Sequence, residues 1–123
     1  MATSSHEHGN HDGFDWIAGE VVRLKPGKSR RKIPHMGWNR IKPKNKNWEN
    51  TIIKNTKIKK DYFYFVHSFF PKPDSEERII ATSTYGKNEF CCVTQYKNVL
   101  GCQFHPEKSG EVGLKILRRF CFD

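Results

Sequence analysis

The stretch with the most informative pattern is residues 101–109, which read Gly-Cys-Gln-Phe-His-Pro-Glu-Lys-Ser. The apolar run 99–104 predicts a buried strand that leads into it. Pro106 ends that strand, because proline lacks the backbone donor of a ladder and disfavours a helical conformation at His105. Ser109 is a suitable N-cap residue for a following helix. The stretch therefore predicts a strand, a turn and a helix in immediate succession.

Two titratable side chains of this stretch lie two positions apart. Residues two apart in an extended chain share a face, so Gln103, His105 and Glu107 point the same way. An imidazole beside a carboxylate is the base of a nucleophilic triad with its orienting partner: the carboxylate fixes the tautomer, and the imidazole takes a proton from a thiol or hydroxyl. A surface pair of His and Glu is the alternative interpretation. The two residues are therefore candidates for catalysis.

The rest of the chain reads as many strands separated by turns. Apolar and aromatic patterns predict strands at 21–24, 38–41, 62–70, 78–85, 90–96 and 99–104, the last two as a hairpin. Polar, proline-rich or glycine-rich composition predicts loops or turns at 1–13, 26–32, 33–37, 42–60 and 71–77. The spacing of four apolar residues predicts a final amphipathic helix whose buried face carries Val112, Ile116, Leu117 and Phe120.

Length and composition exclude several classes of protein. The 123 residues suffice for one domain, and a hydrophobic content of 36% permits only a thin core. No window is apolar enough for a membrane span and the first residues lack the pattern of a signal peptide, which predicts a cytoplasmic protein. The four cysteines follow no Cys-x-x-Cys pattern and read as structural. The histidines of the segment 6–11 lack further ligands at metal-binding spacing, so no metal site is expected.

The formal net charge of +9 raises the alternative of nucleic-acid binding. Basic residues concentrate between Arg23 and Lys60, where they alternate with asparagines. The aromatic residues fall mostly on the predicted strands and are not mixed with this basic segment. The pattern favours a solvated basic surface over a nucleic-acid interface.

The string Gln-Phe-His-Pro-Glu at 103–107 resembles the C-terminal signature of class I (triad) glutamine amidotransferases. With Lys108 and Ser109 it is most similar to the glutaminase subunits of imidazole glycerol phosphate synthase. Residues 13–24, 33–39 (Ile-Pro-His-Met-Gly-Trp-Asn) and 64–69 (Tyr-Phe-Val-His-Ser-Phe) resemble further segments of that family in the same order. The resemblance covers nearly the whole chain.

This resemblance implies a fold, a reaction and a partner. The family has a three-layer α/β fold around a mixed sheet, and this chain would supply mostly strands of that sheet plus a C-terminal helix. Glutamine is hydrolysed by a Cys-His-Glu triad without a cofactor, and ammonia passes to a (β/α)8-barrel cyclase that forms imidazole glycerol phosphate in histidine biosynthesis. Carried over to this sequence, His105 would be the general base and Glu107 its orienting partner.

The resemblance also implies binding roles outside the triad. Ser68 and Phe69 match backbone positions that hold the substrate glutamine, although tyrosine is usual at position 69. The residues implied to face the cyclase partner are Met36, Trp38, Asn39 and Lys108, the last through an acidic residue of the barrel.

One part of the family pattern has no match in this sequence. The family carries its nucleophilic cysteine in a Gly-x-Cys-x-Gly elbow, and residues 1–123 contain no such string. Cys102 would face away from His105, because it is an odd number of positions from it along the strand. The chain is therefore expected to be a partial amidotransferase domain that lacks the N-terminal part with the elbow, and to be inactive when isolated. Two alternatives remain: a homologous amidotransferase that feeds surface-sugar biosynthesis, and a non-catalytic fragment that binds a partner.

Overall fold

The computed structural model describes residues 1–27, 31–44 and 48–123. Within these ranges the chain forms ten strands, one α-helix and three short 3-10 helices. The strands are β1 Ser4–Ser5, β2 His11–Asp12, β3 Gly19–Arg23, β4 His35–Asn39, β5 Lys42–Pro43, β6 Phe63–His67, β7 Phe69–Pro73, β8 Ile79–Tyr85, β9 Asn88–Tyr96 and β10 Val99–Cys102. The helices are α1 Gly110–Phe122 and the 3-10 turns Trp48–Asn50, Glu76–Arg78 and Pro106–Lys108. None of the helices in the described ranges is long and apolar enough to cross a membrane.

The strands form three sheets. Their orders are β2-β1-β3-β7, β10-β9-β8-β5 and β4-β6, and the pairing is antiparallel except between β1 and β3. The predicted hairpin of β9 and β10 is confirmed, with Tyr96 paired to Val99 across a two-residue turn at 97–98. This hairpin delivers the chain to the stretch 101–109.

The core lies between the sheets and helix α1. Phe63 and Phe65 of β6, Phe90 of β9 and Ile116 of α1 are each at most 2% exposed. Phe104, which follows β10, packs against Phe63 with their ring centroids 4.5 Å apart. Each such buried side chain stabilises the fold by roughly 1.5–3 kcal/mol relative to an exposed one. The burial of alternate residues along β6 therefore directs Tyr64 and Val66 to its outer face.

The predicted aromatic strand 62–70 is in fact two strands. The chain leaves the sheet of β4 at Ser68 and enters the sheet of β3, so that β6 ends and β7 begins on either side of this residue. The prediction of a turn from residue 71 is wrong as far as Pro73, because Pro71 and Pro73 belong to β7 and pair with Val21 and Gly19. Proline is tolerated here because β7 is an edge strand with one unpaired side.

Two segments predicted as loops form strands. Residues 1–13 contain β1, which pairs with β3, and β2, which pairs with β1. Next to β1, the amide of Thr3 donates to the carbonyl of Gly19 at 2.8 Å. Residues 35–39 form β4, paired along its length with β6, so the short strand predicted at 38–41 begins earlier and ends at Asn39. Both ladders join backbone groups of polar or glycine-containing segments, and apolar patterning does not report such ladders.

The basic segment 42–60 is more ordered than its composition indicates. Residues 42–43 form β5, residues 48–50 form a 3-10 turn, and Ile53 is fully buried. The part of this prediction at residues 45–47, and the part of the predicted basic turn at residues 28–30, lie outside the described residues.

The predicted C-terminal helix is confirmed as α1, but its last turn is oriented differently. Ile116 is buried and Val112 packs against the core, whereas Phe120 is 62% exposed. The Arg119 guanidinium donates instead to the carbonyls of Ile52 and Lys54. Hydrogen bonding to these two carbonyls turns Arg119 towards the protein and leaves Phe120 on the outer face.

Candidate active site

His105 and Glu107 meet where strand β10 gives way to the helix. The Nδ1 atom of His105 lies 2.9 Å from Oε1 of Glu107. The side chains are 38% and 55% exposed, so the pair lies at the surface with one edge against the protein. His105 has an extended backbone, with φ −91° and ψ 101°, and Pro106 begins the 3-10 turn.

The backbone of Tyr64 holds this loop in place. The amide of His105 donates to the carbonyl of Tyr64 at 2.9 Å. The amide of Tyr64 donates to Oγ of Ser109 at 3.0 Å, and that hydroxyl donates to the carbonyl of His105 at 2.7 Å. Ser109 stands at the N-cap position of α1, as predicted, but its side chain makes no capping bond. It is only 2% exposed, and its hydroxyl joins β6 to the loop that carries the imidazole.

The protonation of the pair follows from its geometry. A carboxylate only accepts hydrogen bonds, so Nδ1 of His105 carries the proton between the two groups. The pKa of Glu107 is lowered from its ordinary value, first by its own backbone amide and then by the bond from His105. Nε2 of the neutral imidazole is then an unprotonated acceptor. A group at Nε2 can therefore give up a proton to an imidazole whose tautomer is already fixed.

The four cysteines all fall within the described residues, with Cys91 and Cys92 buried, Cys102 half-buried and Cys121 exposed. Cys91, Cys92 and Cys102 have raised pKa values because of burial, with the pKa of Cys91 and of Cys102 at about 12. Buried cysteines with a raised pKa are unreactive and typically structural. Cys121 is exposed near the end of α1, about 18 Å along the helix axis from Ser109.

Ser68 and Phe69 occupy the change of sheet between β6 and β7. The carbonyl of Ser68 accepts from the amide of Leu24 at 2.8 Å. The carbonyl of Phe69 lies 2.9 Å from Nδ1 of His67, the residue that ends β6. Both carbonyls of this turn are therefore bonded inside the protein.

The residues expected at a partner interface do not all lie on one face. Met36 and Trp38 are 62% and 56% exposed on the outer face of β4. Trp38 contacts Tyr64 edge to face with centroids 5.8 Å apart, and Nζ of Lys108 lies 5.9 Å from the centre of the Tyr64 ring. Asn39 points to the opposite face, where its amide nitrogen donates to the carbonyl of Thr84 at 2.8 Å.

Three functional features escaped the sequence analysis. The hydroxyl of Ser109 and the backbone of Tyr64 position the loop of His105, and no sequence pattern reports backbone contacts between distant segments. The third feature is a contact between His35 and His67, whose Nδ1 and Nε2 atoms lie 2.9 Å apart in the core. A signal for it was present, because His67 follows Phe63 and Phe65 at a spacing of two and so shares their buried face.

Within the described residues, no three His, Cys, Asp or Glu side chains come together in a group that could hold a metal ion.

Comparison with known proteins places this geometry in a family. Residues 13–123 match the family Glutamine amidotransferase class-I. The match includes the His105–Glu107 pair, the change of sheet at Ser68 and helix α1. The chain belongs to the class I glutamine amidotransferases, which confirms the family and the α/β fold class expected from its motifs.

Similar proteins are subunits of one enzyme. The chain is 42% identical over 125 residues to imidazole glycerol phosphate synthase subunit HisH 1 of Legionella pneumophila strain Paris, covering 98% of this chain and 58% of the relative. It is 41% identical to subunit HisH of Geobacter metallireducens, covering 98% and 57%, and 39% identical to subunit HisH of Azospirillum brasilense, covering 98% and 60%. The chain thus spans somewhat more than half the length of these relatives.

Proposed function

We propose that this chain carries the base, its orienting carboxylate and part of the substrate site of a glutaminase that supplies ammonia for imidazole glycerol phosphate synthesis. The observation that supports the proposal is the 2.9 Å contact between Nδ1 of His105 and Oε1 of Glu107, within a chain of the amidotransferase family. The names of the relatives favour histidine biosynthesis over a surface-sugar pathway as the destination of the ammonia.

In the proposed reaction, Nε2 of His105 takes the proton of a cysteine thiol as its sulfur attacks the side-chain carboxamide carbon of glutamine. The imidazolium then returns this proton to the leaving nitrogen, and ammonia departs with formation of a thioester. Water, deprotonated by the same imidazole, hydrolyses the thioester to glutamate and frees the thiol. Glu107 stabilises each imidazolium through Nδ1.

The nucleophile is the part of the proposal that this chain does not supply. Residues 1–123 contain no Gly-x-Cys-x-Gly string, and the three thiols in or near the core are held protonated. We propose that the thiol comes from the part of the amidotransferase domain that lies outside the match to the relatives. Accordingly, we expect residues 1–123 alone to release no ammonia from glutamine.

Two further surfaces complete the proposal. Backbone groups at Ser68 and Phe69 would hold the glutamine. Trp38 and Lys108 lie beside Tyr64, and Met36 is exposed on the same face of β4 as Trp38. These three residues would contact the cyclase barrel. Asn39 would contribute to the same partner interface from the opposite face of β4.

The test uses a chimera in which this chain replaces the matched part of the Legionella pneumophila HisH 1 relative. We expect this chimera, with the cyclase subunit of that organism, to release ammonia from glutamine and to restore growth of a histidine auxotroph. His105→Ala should lower kcat by about a thousandfold or more, because the thiol then has no base. His11→Ala, at an exposed histidine of β2, is the matched control. Turnover retained by the His105 variant would refute the assignment of the base.

A further inference from the structure

The core contains a chain of hydrogen bonds that the proposed mechanism does not use. It starts at the amide nitrogen of Asn39, 3.4 Å from Nε2 of His35. It continues from Nδ1 of His35 to Nε2 of His67 at 2.9 Å and from Nδ1 of His67 to the carbonyl of Phe69 at 2.9 Å. His35 and His67 are 2% and 8% exposed. The chain of bonds thus leads from β4 through the core to the turn at residues 68–69.

The hydrogen-bond partners at the two ends of this series of bonds each require the same direction of donation. The carbonyl of Phe69 can only accept, so Nδ1 of His67 is protonated. At the other end, the Asn39 amide nitrogen also bonds the carbonyl of Thr84 at 2.8 Å, which identifies it as the donor, so Nε2 of His35 accepts. Both neutral rings therefore carry the proton on Nδ1, and His35 donates to His67.

The surroundings keep both rings neutral and fixed. His35 is stacked between Phe65 and Tyr85, with centroid distances of 4.9 and 4.1 Å. His67 packs against Phe90 at 4.8 Å. Burial lowers the pKa of both imidazoles. The pKa of His35 falls to about 4, and the charges of His67 and Arg31 contribute smaller parts of this shift. A second proton on either ring would place two donors against each other.

This series of hydrogen bonds ends at the turn of residues 68–69, which is the proposed glutamine site. The peptide group is planar, so a bond to the carbonyl of Ser68 also directs the amide of Phe69, and a bond to the carbonyl of Phe69 directs the amide of Phe70. The amide of Leu24 holds the first of these peptide planes and His67 holds the second. Together they fix the backbone dihedral angles of Phe69, the residue between the planes.

We infer that His35 and His67 are positioning residues for substrate: they hold the backbone at Ser68 and Phe69 in the orientation that binds glutamine. This inference rests on the proposed function for the identity of the ligand. His67 acts on the turn directly, and His35 acts through His67 by saturating its Nε2 atom. Neither residue touches the reacting atoms, so they affect glutamine affinity and leave the chemical step unchanged.

The experiment compares two substitutions that each keep one side of the imidazole. In the chimera described above, His67→Asn retains a donor near the position of Nδ1, whereas His67→Gln retains a polar group near Nε2 and loses the donor to Phe69. We expect His67→Gln to raise KM for glutamine at least about fivefold with kcat within twofold of the parent, because a buried carbonyl loses its partner. His67→Asn should restore KM to within about twofold. His11→Gln, at an exposed histidine, should change neither constant.

Several outcomes would overturn the inference. They are an unchanged KM in His67→Gln, an equal defect in His67→Asn, or a loss confined to kcat. If His67→Gln does not fold, two variants of His35 give the same comparison one hydrogen bond further from the turn. His35→Leu loses the donor to His67, and His35→Asn keeps one. Glutamine affinity measured by calorimetry on the same proteins replaces KM if the parent chimera has no turnover.

A separate measurement distinguishes this inference from the proposed function. The 15N spectrum of residues 1–123 should show both His35 and His67 as neutral Nδ1-protonated tautomers at pH 7, and an Nε2-protonated form of either ring would overturn the inference. Retained turnover in His105→Ala would instead refute the proposed base. A parallel loss of kcat in His105→Ala and of affinity in His67→Gln supports both.

Discussion

At the scale of single residues, one buried hydroxyl determines where the imidazole of His105 lies. Ser109 accepts from the amide of Tyr64 and donates to the carbonyl of His105, so its oxygen belongs to both segments. The side chain of His105 bonds to that of Glu107, and both side chains are more than a third exposed. An exposed pair of this kind contributes little to stability. The position of the proposed base therefore depends mainly on the backbone contacts through Ser109 and Tyr64.

The first prediction follows from this arrangement. Ser109→Ala leaves the amide of Tyr64 without its partner, whereas the carbonyl of His105 keeps the bond from the amide of Lys108 at 3.1 Å. Because one unsatisfied group costs about 1–3 kcal/mol, we expect the free energy of unfolding to fall by that amount, measured by urea denaturation of residues 1–123. Ser75→Ala is the control, because Ser75 also stands at a helix N-cap without a side-chain capping bond. Equal stability of the two variants would show that the hydroxyl is dispensable.

A second prediction concerns pH. His35 has a pKa of about 4 in the folded protein against 6.5 for the free group, chiefly through burial and then through His67 and Arg31. Between these two values the unfolded chain binds more protons than the folded one. Stability is therefore complete above about pH 6.5 and falls as the pH is lowered towards 4, by at most about 3 kcal/mol from this residue.

Urea denaturation at pH 7.5 and 4.5 measures this dependence. His35→Phe, which keeps a ring between Phe65 and Tyr85 but has no proton to bind, should lose less stability than the parent over the same interval. The same loss in both proteins would assign the pH dependence to other groups.

At the scale of elements, the sequence predicted the strands and the helix that carry a clear apolar pattern. It missed the strands that form mainly through backbone pairing. The hairpin β9–β10 and helix α1 follow from alternation and helical spacing, and both are confirmed. Strands β1 and β2 were missed because polar residues form them through main-chain bonds. The change of sheet at Ser68 was missed because an uninterrupted aromatic run gives no sign of a new partner strand.

The same distinction applies to the candidate site. The pairing of His105 with Glu107 was predicted from their spacing, and the two side chains are in contact in the structure. Ser109 and Tyr64 are 45 residues apart in the sequence. His35 and His67 are 32 residues apart and lie opposite each other on neighbouring strands. Such contacts arise from tertiary packing, which local patterns do not contain.

A third prediction belongs to the joint between the 3-10 turn and α1. Gly113 lies where an added Cβ would overlap the carbonyl oxygen of Pro106 and would lie 2.8 Å from Cβ of Ser109. Replacing glycine by alanine in an exposed helix normally stabilises it by about 1 kcal/mol. Here we expect Gly113→Ala to destabilise, because the turn that carries Glu107 must move away from the helix.

Thermal unfolding of residues 1–123 measures this effect. We expect a lower Tm for Gly113→Ala, and a smaller change for the control Leu114→Ala at the adjacent position, where the side chain is 57% exposed. A higher Tm for Gly113→Ala would mean that the helix and the turn can separate without cost.

At the scale of the whole molecule, several large apolar side chains remain exposed, and two aromatic patches are among them. Trp38 lies with Met36 beside Tyr64 and Lys108 on the outer face of β4 and β6. Trp16 stacks on Phe14 with centroids 5.3 Å apart, in the segment between β2 and β3. Exposed apolar patches of this kind often mark surfaces that contact other proteins or other parts of a domain. The net charge of +9 adds a general attraction for acidic surfaces, which does not by itself choose between the two patches.

A pair of tryptophan substitutions separates the two patches. Both Trp38 and Trp16 are 56% exposed, so their replacement by alanine removes the same residue type from equally accessible positions. If the face of β4 and β6 contacts the cyclase, Trp38→Ala in the chimera should weaken cyclase binding at least tenfold, because buried tryptophans dominate interface energetics. Trp16→Ala should leave that affinity within about twofold. The reverse result, measured by calorimetry with the cyclase subunit, would place the partner on the β1–β3 side and would leave the triad assignment intact, because His105 and Glu107 are tested independently of either patch.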